Sequence, residues 1–226
     1  MRKVKPDTWW LDVALLAAFG ALTVALAAKA PLLDLDLAVR DFADAHRPTP
    51  LYWTARVLNY LGQGGLVLTP LAAIVAFVLA VRRRSARPFL PVVAAFALTY
   101  CTIGPLKLVT DRASASSRIE HSEWLFHDPG GMSYPSGHVV NAIVWYGVLA
   151  LLLTSVLTSN QRRVMRYGAP AIVLATTTYL SYHWVTDGVA AILVGLVLDR
   201  LLGRVDWDRV AEWLKARRRR ASPAAR

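Results

Sequence analysis

The chain has 226 residues, 55% of them hydrophobic, and a formal charge of +11, which suits one domain with its charge gathered in blocks. A soluble protein this basic would suggest nucleic acid, but here the basic residues lie between apolar spans, and nucleic-acid binding is set aside. The single cysteine, Cys101, excludes an internal disulfide and reads as a small apolar packing residue.

Residues 1–8 form a short basic N-terminus with Arg2, Lys3 and Lys5. A first apolar span covers about residues 9–28. Ala28-Lys29-Ala30 resembles a signal-peptidase site, but the run from Trp9 is long for a signal segment, so an uncleaved span is expected. Residues 34–61 are not a span. Leu35, Val39 and Phe42 recur at helical spacing among Asp34, Asp36, Arg40, Asp41 and Asp44, predicting an amphipathic helix broken near Pro48 and Pro50. A second short helix over Leu51–Leu61 ends at Gly62. Both are expected at the outer interface, as structural elements or as a route for lipid access. Five further spans follow at about 65–81, 88–108, 138–158, 165–183 and 185–203, each near the length that crosses a bilayer core. Trp9, Trp10, Tyr52, Trp53 and Trp184 sit near span ends, where amphipathic rings prefer the interface. Residues 204–226 form a basic tail whose Arg217–Arg220 run reads as a topology and anionic-lipid signal. The expected fold is all-α: a bundle of six transmembrane helices, residues 9–203, with an amphipathic outer segment.

Charge gives the orientation. With a cytoplasmic N-terminus, 19 of the 26 basic residues fall on the cytoplasmic side and seven on the other: Lys29, Arg40, Arg47, Arg56, Lys107, Arg112 and Arg118. The positive-inside rule thus predicts a plasma-membrane protein with both termini cytoplasmic. The segment from Lys107 to His138 and His183 then lie outside.

Two short motifs carry the chemistry. His183 and Asp187 are four apart and share a helical face. An ionisable pair at a span edge is costly unless it faces protein or water. A carboxylate beside an imidazole fixes its tautomer and leaves the other nitrogen free to attack. Pro135-Ser136-Gly137-His138 opens the fourth span. Gly137 permits close backbone approach, the N–H groups of a helix start favour an anion, and His138 is placed to protonate a leaving oxygen. Two spans running out and back bring both histidines to one face. Lys107 and Arg112 lie on the same side and suit phosphate neutralisation; interfacial snorkelling is their alternative role. His121, Glu123, His127 and Asp128 match no strong metal spacing and read as structural or substrate-contact residues. Asn141 reads as a helix–helix hydrogen-bonding residue. Tyr179 and Tyr182 read as packing residues.

With these residues the chain resembles the type 2 phosphatidic acid phosphatase family, which shares a helical core with vanadium haloperoxidases. The family pattern is K-x6-R-P, then P-S-G-H, then S-R-x5-H-x3-D. The middle part is complete as Pro135–His138, the third keeps His183 and Asp187, and the first keeps Lys107. The resemblance implies that His183 attacks phosphorus, Asp187 orients it and His138 protonates the leaving alcohol. It also implies that Lys107, Ser136 and Gly137 hold the phosphate oxygens, with no metal or other cofactor. Two family arginines are replaced: Ser114 and Ala115 stand for Arg-Pro, and Thr176-Thr177 for Ser-Arg. Arg112 matches an extra arginine common in the family, and Arg118, in the same outer loop, is a candidate substitute. The expected activity is hydrolysis of a lipid phosphate or pyrophosphate in the bilayer. The alternatives are a phosphotransferase acting on an alcohol acceptor, favoured by the lost charges, and a non-catalytic phospholipid-binding protein.

Overall fold

The computed structural model describes residues 9–221. Arg2, Lys3 and Lys5, and the side chains of Arg218, Arg219 and Arg220, lie outside the described residues. The described chain is all-α: α1 (Trp9–Ala27), α2 (Leu32–Ala45), α3 (Thr49–Asn59), α4 (Thr69–Arg83), α5 (Phe89–Thr110), α6 (Gly137–Leu152), α7 (Ser159–Tyr179), α8 (Val185–Arg204) and α9 (Trp207–Ala221). A 3-10 turn at Tyr60–Gly62 and a π turn at Gly64–Leu68 lead into α4.

The centre of the bundle is α6. It is apolar on every side, which suits a helix surrounded by others, and 12 of its 16 residues are buried. Val140, Val144, Trp145 and Val148 pack with Val173 of α7 and with Ala191, Val194 and Leu198 of α8. The outer helices α1, α4 and α5 instead expose Val13, Leu16, Ile74, Phe77, Val93 and Phe96. An apolar exterior of this extent suits lipid rather than water. The segments Trp9–Ala27, Gly64–Arg83 and Phe89–Thr110 are long and apolar enough to cross a membrane; α6 is apolar but shorter. Charges within the bundle are paired, as low-dielectric surroundings require. Asp12 of α1 binds Arg200 at 2.6 Å and also Arg204, and Asp199 of α8 binds Arg166 of α7.

Two span ends differ from the sequence expectation. The fourth expected span, α6, stops at Leu152 rather than near 158, because the chain turns at Leu153–Leu157 and Thr158 begins a capping box with Gln161. The fifth stops at Tyr179, so His183 lies in a turn rather than at the end of a span. Ser181 there has φ 55°, which a helix cannot continue through, and the N–H groups of Tyr182 and His183 both donate to the Thr177 carbonyl.

The amphipathic segment forms the expected two helices, with α2 turned in an informative way. Its apolar residues Leu35 and Phe42 are exposed, while Leu33, Asp36 and Ala43 are buried. The side of α2 that carries Leu33, Asp36 and Ala43 packs on α7 and α8, while Leu35 and Phe42 face out with Asp34, Asp41 and Asp44. The 26-residue connection between α5 and α6 folds across the same end. The Phe126 N–H donates to the Thr110 carbonyl at 2.7 Å, and the Ser133 N–H to that of Arg112 at 2.9 Å.

Candidate active site

The two motifs meet at the end of the bundle where α6 and α8 begin. The Ser136 N–H donates to the Asp187 carbonyl at 3.1 Å, joining the start of one helix to the first turn of the other. His138 Nδ1 lies 3.4 Å from His183 Nε2, with ring centres 5.6 Å apart and planes at 67°. The other side of the His183 ring faces polar groups: Nδ1 is 3.2 Å from Ser133 Oγ and 3.5 Å from Asp187 Oδ2. A proton held on Nδ1 leaves the Nε2 lone pair directed at His138.

Asp187 is fully buried and fixed on all sides. Its Oδ2 accepts from Ser133 Oγ at 2.5 Å and from the Trp184 N–H at 3.0 Å. Its Oδ1 accepts from Arg112 Nη1 at 2.6 Å. Arg112 has every nitrogen engaged: Nε donates to the Glu123 carbonyl at 2.8 Å, Nη1 also to Thr186 Oγ1 at 2.8 Å, and Nη2 to Asp36 Oδ2 at 2.7 Å. Asp36 further accepts from the Thr186 N–H at 3.0 Å and from its hydroxyl at 2.5 Å. The result is a buried Asp36–Arg112–Asp187 relay spanning α2, the α5–α6 loop and α8. Burial raises the Asp36 carboxyl above its ordinary range, against the pull of Arg112 and Thr186. Nearby, Tyr134 donates to or accepts from Thr23 across 2.7 Å, and burial pushes its phenol up to about 12.

The anion side is made by α5 and the start of α6. Lys107 Nζ donates to the Met132 carbonyl. A Cβ at Gly137 would lie 3.4 Å from Lys107 Cε and 3.8 Å from Nζ, so the absent side chain leaves the ammonium beside the helix start. The first N–H groups of a helix lack partners within it and add positive character there. Ser136 is buried, and its hydroxyl caps α6 by accepting from the Val139 N–H at 3.5 Å.

The structure therefore gathers His138, His183, Asp187, Ser136, Gly137 and Lys107. It does not bring Arg112 or Arg118 to the anion side. Arg112 is buried behind Asp187, where two carboxylates hold it, and Arg118 is exposed in the loop with no hydrogen bond or ion pair among the described residues. The positions of the missing arginines carry no charge. Thr177 Oγ1 donates to the Val173 carbonyl at 2.8 Å, Thr176 Oγ1 to the same carbonyl at 3.1 Å, and Ser114 pairs with Ser116 at 3.1 Å.

Three participants escaped the sequence reading. Asp36 looked like one of several surface charges on an amphipathic helix. Ser133 lies outside every motif. Gln63, between two glycines, places its amide 3.1 Å from His138 Nε2. The one available signal was the Gly62-Gln63-Gly64-Gly65 run, which permits backbone to approach a neighbouring helix. The His121 group is local structure: His121 stacks on Trp124 with ring centres 3.7 Å apart, and Lys29 lies over the same indole at 3.2 Å. Among the described residues, no group of three His, Cys, Asp or Glu side chains is disposed to hold a metal ion. Asn141 makes no helix–helix hydrogen bond among the described residues; its amide fills the space over Gly64.

Comparison with known proteins bears on the fold and the family. One solved structure, described as the first transmembrane PAP2-type phosphatidylglycerolphosphate phosphatase, from Bacillus subtilis, is similar in fold: TM-score 0.71, 24% identity, 85% of this chain and 94% of that one covered. No curated protein matches the chain significantly. The PAP2 superfamily model matches residues 88–211, more than half of the sequence and all of α5 to α8 with both histidine motifs, and the chain belongs to that superfamily.

Proposed function

We propose that this protein is an integral membrane lipid phosphatase working through a phosphohistidine on His183, without a metal ion. The observation that carries the reading is the disposition of His183: Nδ1 faces the Asp187–Ser133 pair, and Nε2 faces His138 across 3.4 Å. The two nitrogens are in contact at 3.4 Å, so a bound phosphoryl group takes the place of that contact, the rings parting to set the nucleophile on one side of it and a proton donor on the other. The His183 Nε2 lone pair bonds to phosphorus while the leaving oxygen takes a proton from His138. Water then displaces the histidine, giving its proton to His138. Lys107 and the first N–H groups of α6 hold the phosphate oxygens throughout.

The charge distribution supports a plasma-membrane location with the site on the extracytoplasmic side, opposite the basic blocks. Candidate substrates are phosphatidate, phosphatidylglycerol phosphate, which the fold neighbour's description names, and polyprenyl phosphates or pyrophosphates. The decisive assay is phosphate release by detergent-purified protein across these lipids, with EDTA present. Release that vanishes in His183→Ala supports the mechanism; more than a few per cent residual activity in that variant refutes it.

A second reading has one observation in its favour. Lys107 is the cation beside the helix start, while Arg112 is engaged elsewhere. A site neutralising little charge suits a phosphodiester, and with it transfer of a phosphoryl headgroup to an alcohol. A new phosphodiester product on adding acceptor lipids, with no free phosphate, would establish this in place of hydrolysis.

A further inference from the structure

Gln63 has no place in the motifs, yet its side chain contacts the ring of His138. The contact is built by close packing. The turn Gly62-Gln63-Gly64 presses on the first turn of α6. A Cβ at Gly62 would fall 3.1 Å from both His138 Cβ and the His138 carbonyl, and one at Gly64 would fall 2.3 Å from the Asn141 amide. With both flanking side chains absent, the Gln63 amide nitrogen reaches His138 Nε2 at 3.1 Å. The other ring nitrogen, Nδ1, is the one that faces His183 Nε2 at 3.4 Å.

A hydrogen bond to one imidazole nitrogen sets what the other can do. An amide offers either its NH2 or its carbonyl to that nitrogen. We infer that Gln63 is the positioning residue of His138, holding Nε2 so that Nδ1 is the nitrogen that exchanges protons with the substrate. The inference depends on the phosphatase reading for its chemistry. As the bond from phosphorus to the leaving oxygen breaks and the bond to His183 Nε2 forms, protonated His138 gives its Nδ1 proton to that oxygen. Its Nε2–H meanwhile donates to the Gln63 carbonyl, the amide having turned to present its oxygen in place of the nitrogen that faces the neutral ring. When water attacks, its oxygen bonds to phosphorus, the bond to His183 breaks, and the water proton passes to Nδ1 of His138. Gln63 keeps the same nitrogen engaged through both steps, so the ring is never free to turn away.

The titratable groups facing His138 are His183 and Lys107. Asp187 reaches it through His183, and Asn141 and the glycine turn bring no charge. A pH response in Gln63 variants with these groups intact therefore reports on His138. The test compares wild type with Gln63→Leu, which removes the hydrogen bond, and Gln63→Glu, which replaces the amide with a charged acceptor. On a lipid phosphate, Gln63→Leu is expected to lower kcat roughly 10- to 100-fold with little change in KM, a part of what a general acid supplies. On an aryl phosphate with a nitrophenolate leaving group, which departs without a proton, the defect shrinks to a few-fold. Gln63→Glu moves the alkaline limb of kcat/KM upward by about one pH unit, because a carboxylate beside the ring favours its charged form.

A readout independent of turnover uses nitrogen-15 histidine spectra: one neutral tautomer of His138 in wild type, and a mixture in Gln63→Leu. Equal losses on both leaving groups with an unmoved pH profile would assign Gln63 a packing role and overturn the inference, as would an unchanged tautomer. If Gln63→Leu fails to fold, Gln63→Glu and Gln63→Asn carry the same comparison. Activity surviving in His183→Ala would instead sink the phosphohistidine reading, leaving the tautomer measurement to decide on Gln63.

Discussion

Replacing Arg112 by methionine separates two roles for this residue. As a phosphate ligand, Arg112 would contribute to substrate binding, and its loss would raise KM while leaving stability nearly unchanged. The structure instead has its guanidinium joining two fully buried carboxylates, Asp36 and Asp187, at 2.7 and 2.6 Å. Met keeps the length and apolar contact of the side chain but leaves both acids buried without their cation. Deleting one partner of a buried ion pair costs about 3–5 kcal/mol, against a typical total stability of about 5–15 kcal/mol. For a chain of this size that corresponds to a fall in Tm of about 6–20 °C. Because Asp187 also loses a fixed donor, kcat should drop while KM stays within about threefold, since Arg112 does not face the anion side. Thermal unfolding in detergent, with steady-state phosphate release on the same samples, reads both effects. Asp36→Ala should reproduce much of the Tm loss with a smaller fall in kcat, and a double-mutant cycle should give a coupling of about 1–3 kcal/mol. An Arg112→Met protein that melts within about 2 °C of wild type and shows a raised KM would refute the structural assignment.

Asp187→Asn should lower kcat by about ten-thousandfold, the scale seen when a catalytic histidine loses its orienting aspartate, with binding of a non-hydrolysable phosphonate lipid largely retained. Lys107→Ala should weaken that phosphonate at least tenfold in a competition assay, and Lys107→Arg should restore part of the loss because the charge returns. Gly64→Ala should destabilise the protein by about 1–3 kcal/mol through overpacking against Asn141. Asn141→Ala in the same chain should recover most of the lost Tm; failure to recover would mean that the turn, not the amide, is the obstacle.

The helices and the two histidine motifs that meet in the structure were legible in the sequence, and the residues packed around those motifs were not. Apolar length marked the spans, because crossing a bilayer requires about 20 such residues whatever their packing. His138, His183 and Asp187 stood out because polar groups at span edges are costly, and both motifs fall where two helices begin. Arg112 misled because sequence gives a charge but not its direction. A guanidinium near a phosphate site and one buried behind it have the same spacing from Lys107. Asp36 was hidden because it reads as one of four acids on an amphipathic helix, and only packing shows that it is buried while Asp34, Asp41 and Asp44 are exposed. Gln63 acts through one contact across 75 residues and Ser133 through two, across 50 and 54, which no local pattern encodes.

The Asp36–Arg112–Asp187 relay joins parts of the chain that leave the ribosome at different times. Asp36 precedes Arg112 by 76 residues, and Arg112 precedes Asp187 by 75. During synthesis the outer helix α2 and the loop after α5 are made well before α8, since chains emerge from the N-terminus. Until α8 is threaded, Arg112 has one carboxylate partner instead of two, and the Thr186 donors of Asp36 are absent. His183 is made only just before Asp187. His183, Asp187 and the Thr186 donors that fasten Asp36 thus arrive together. Until residues 183–187 are made, the chain has neither the His138–His183 contact nor the hydrogen bonds by which Arg112 and Thr186 tie Asp36 of α2 to the start of α8.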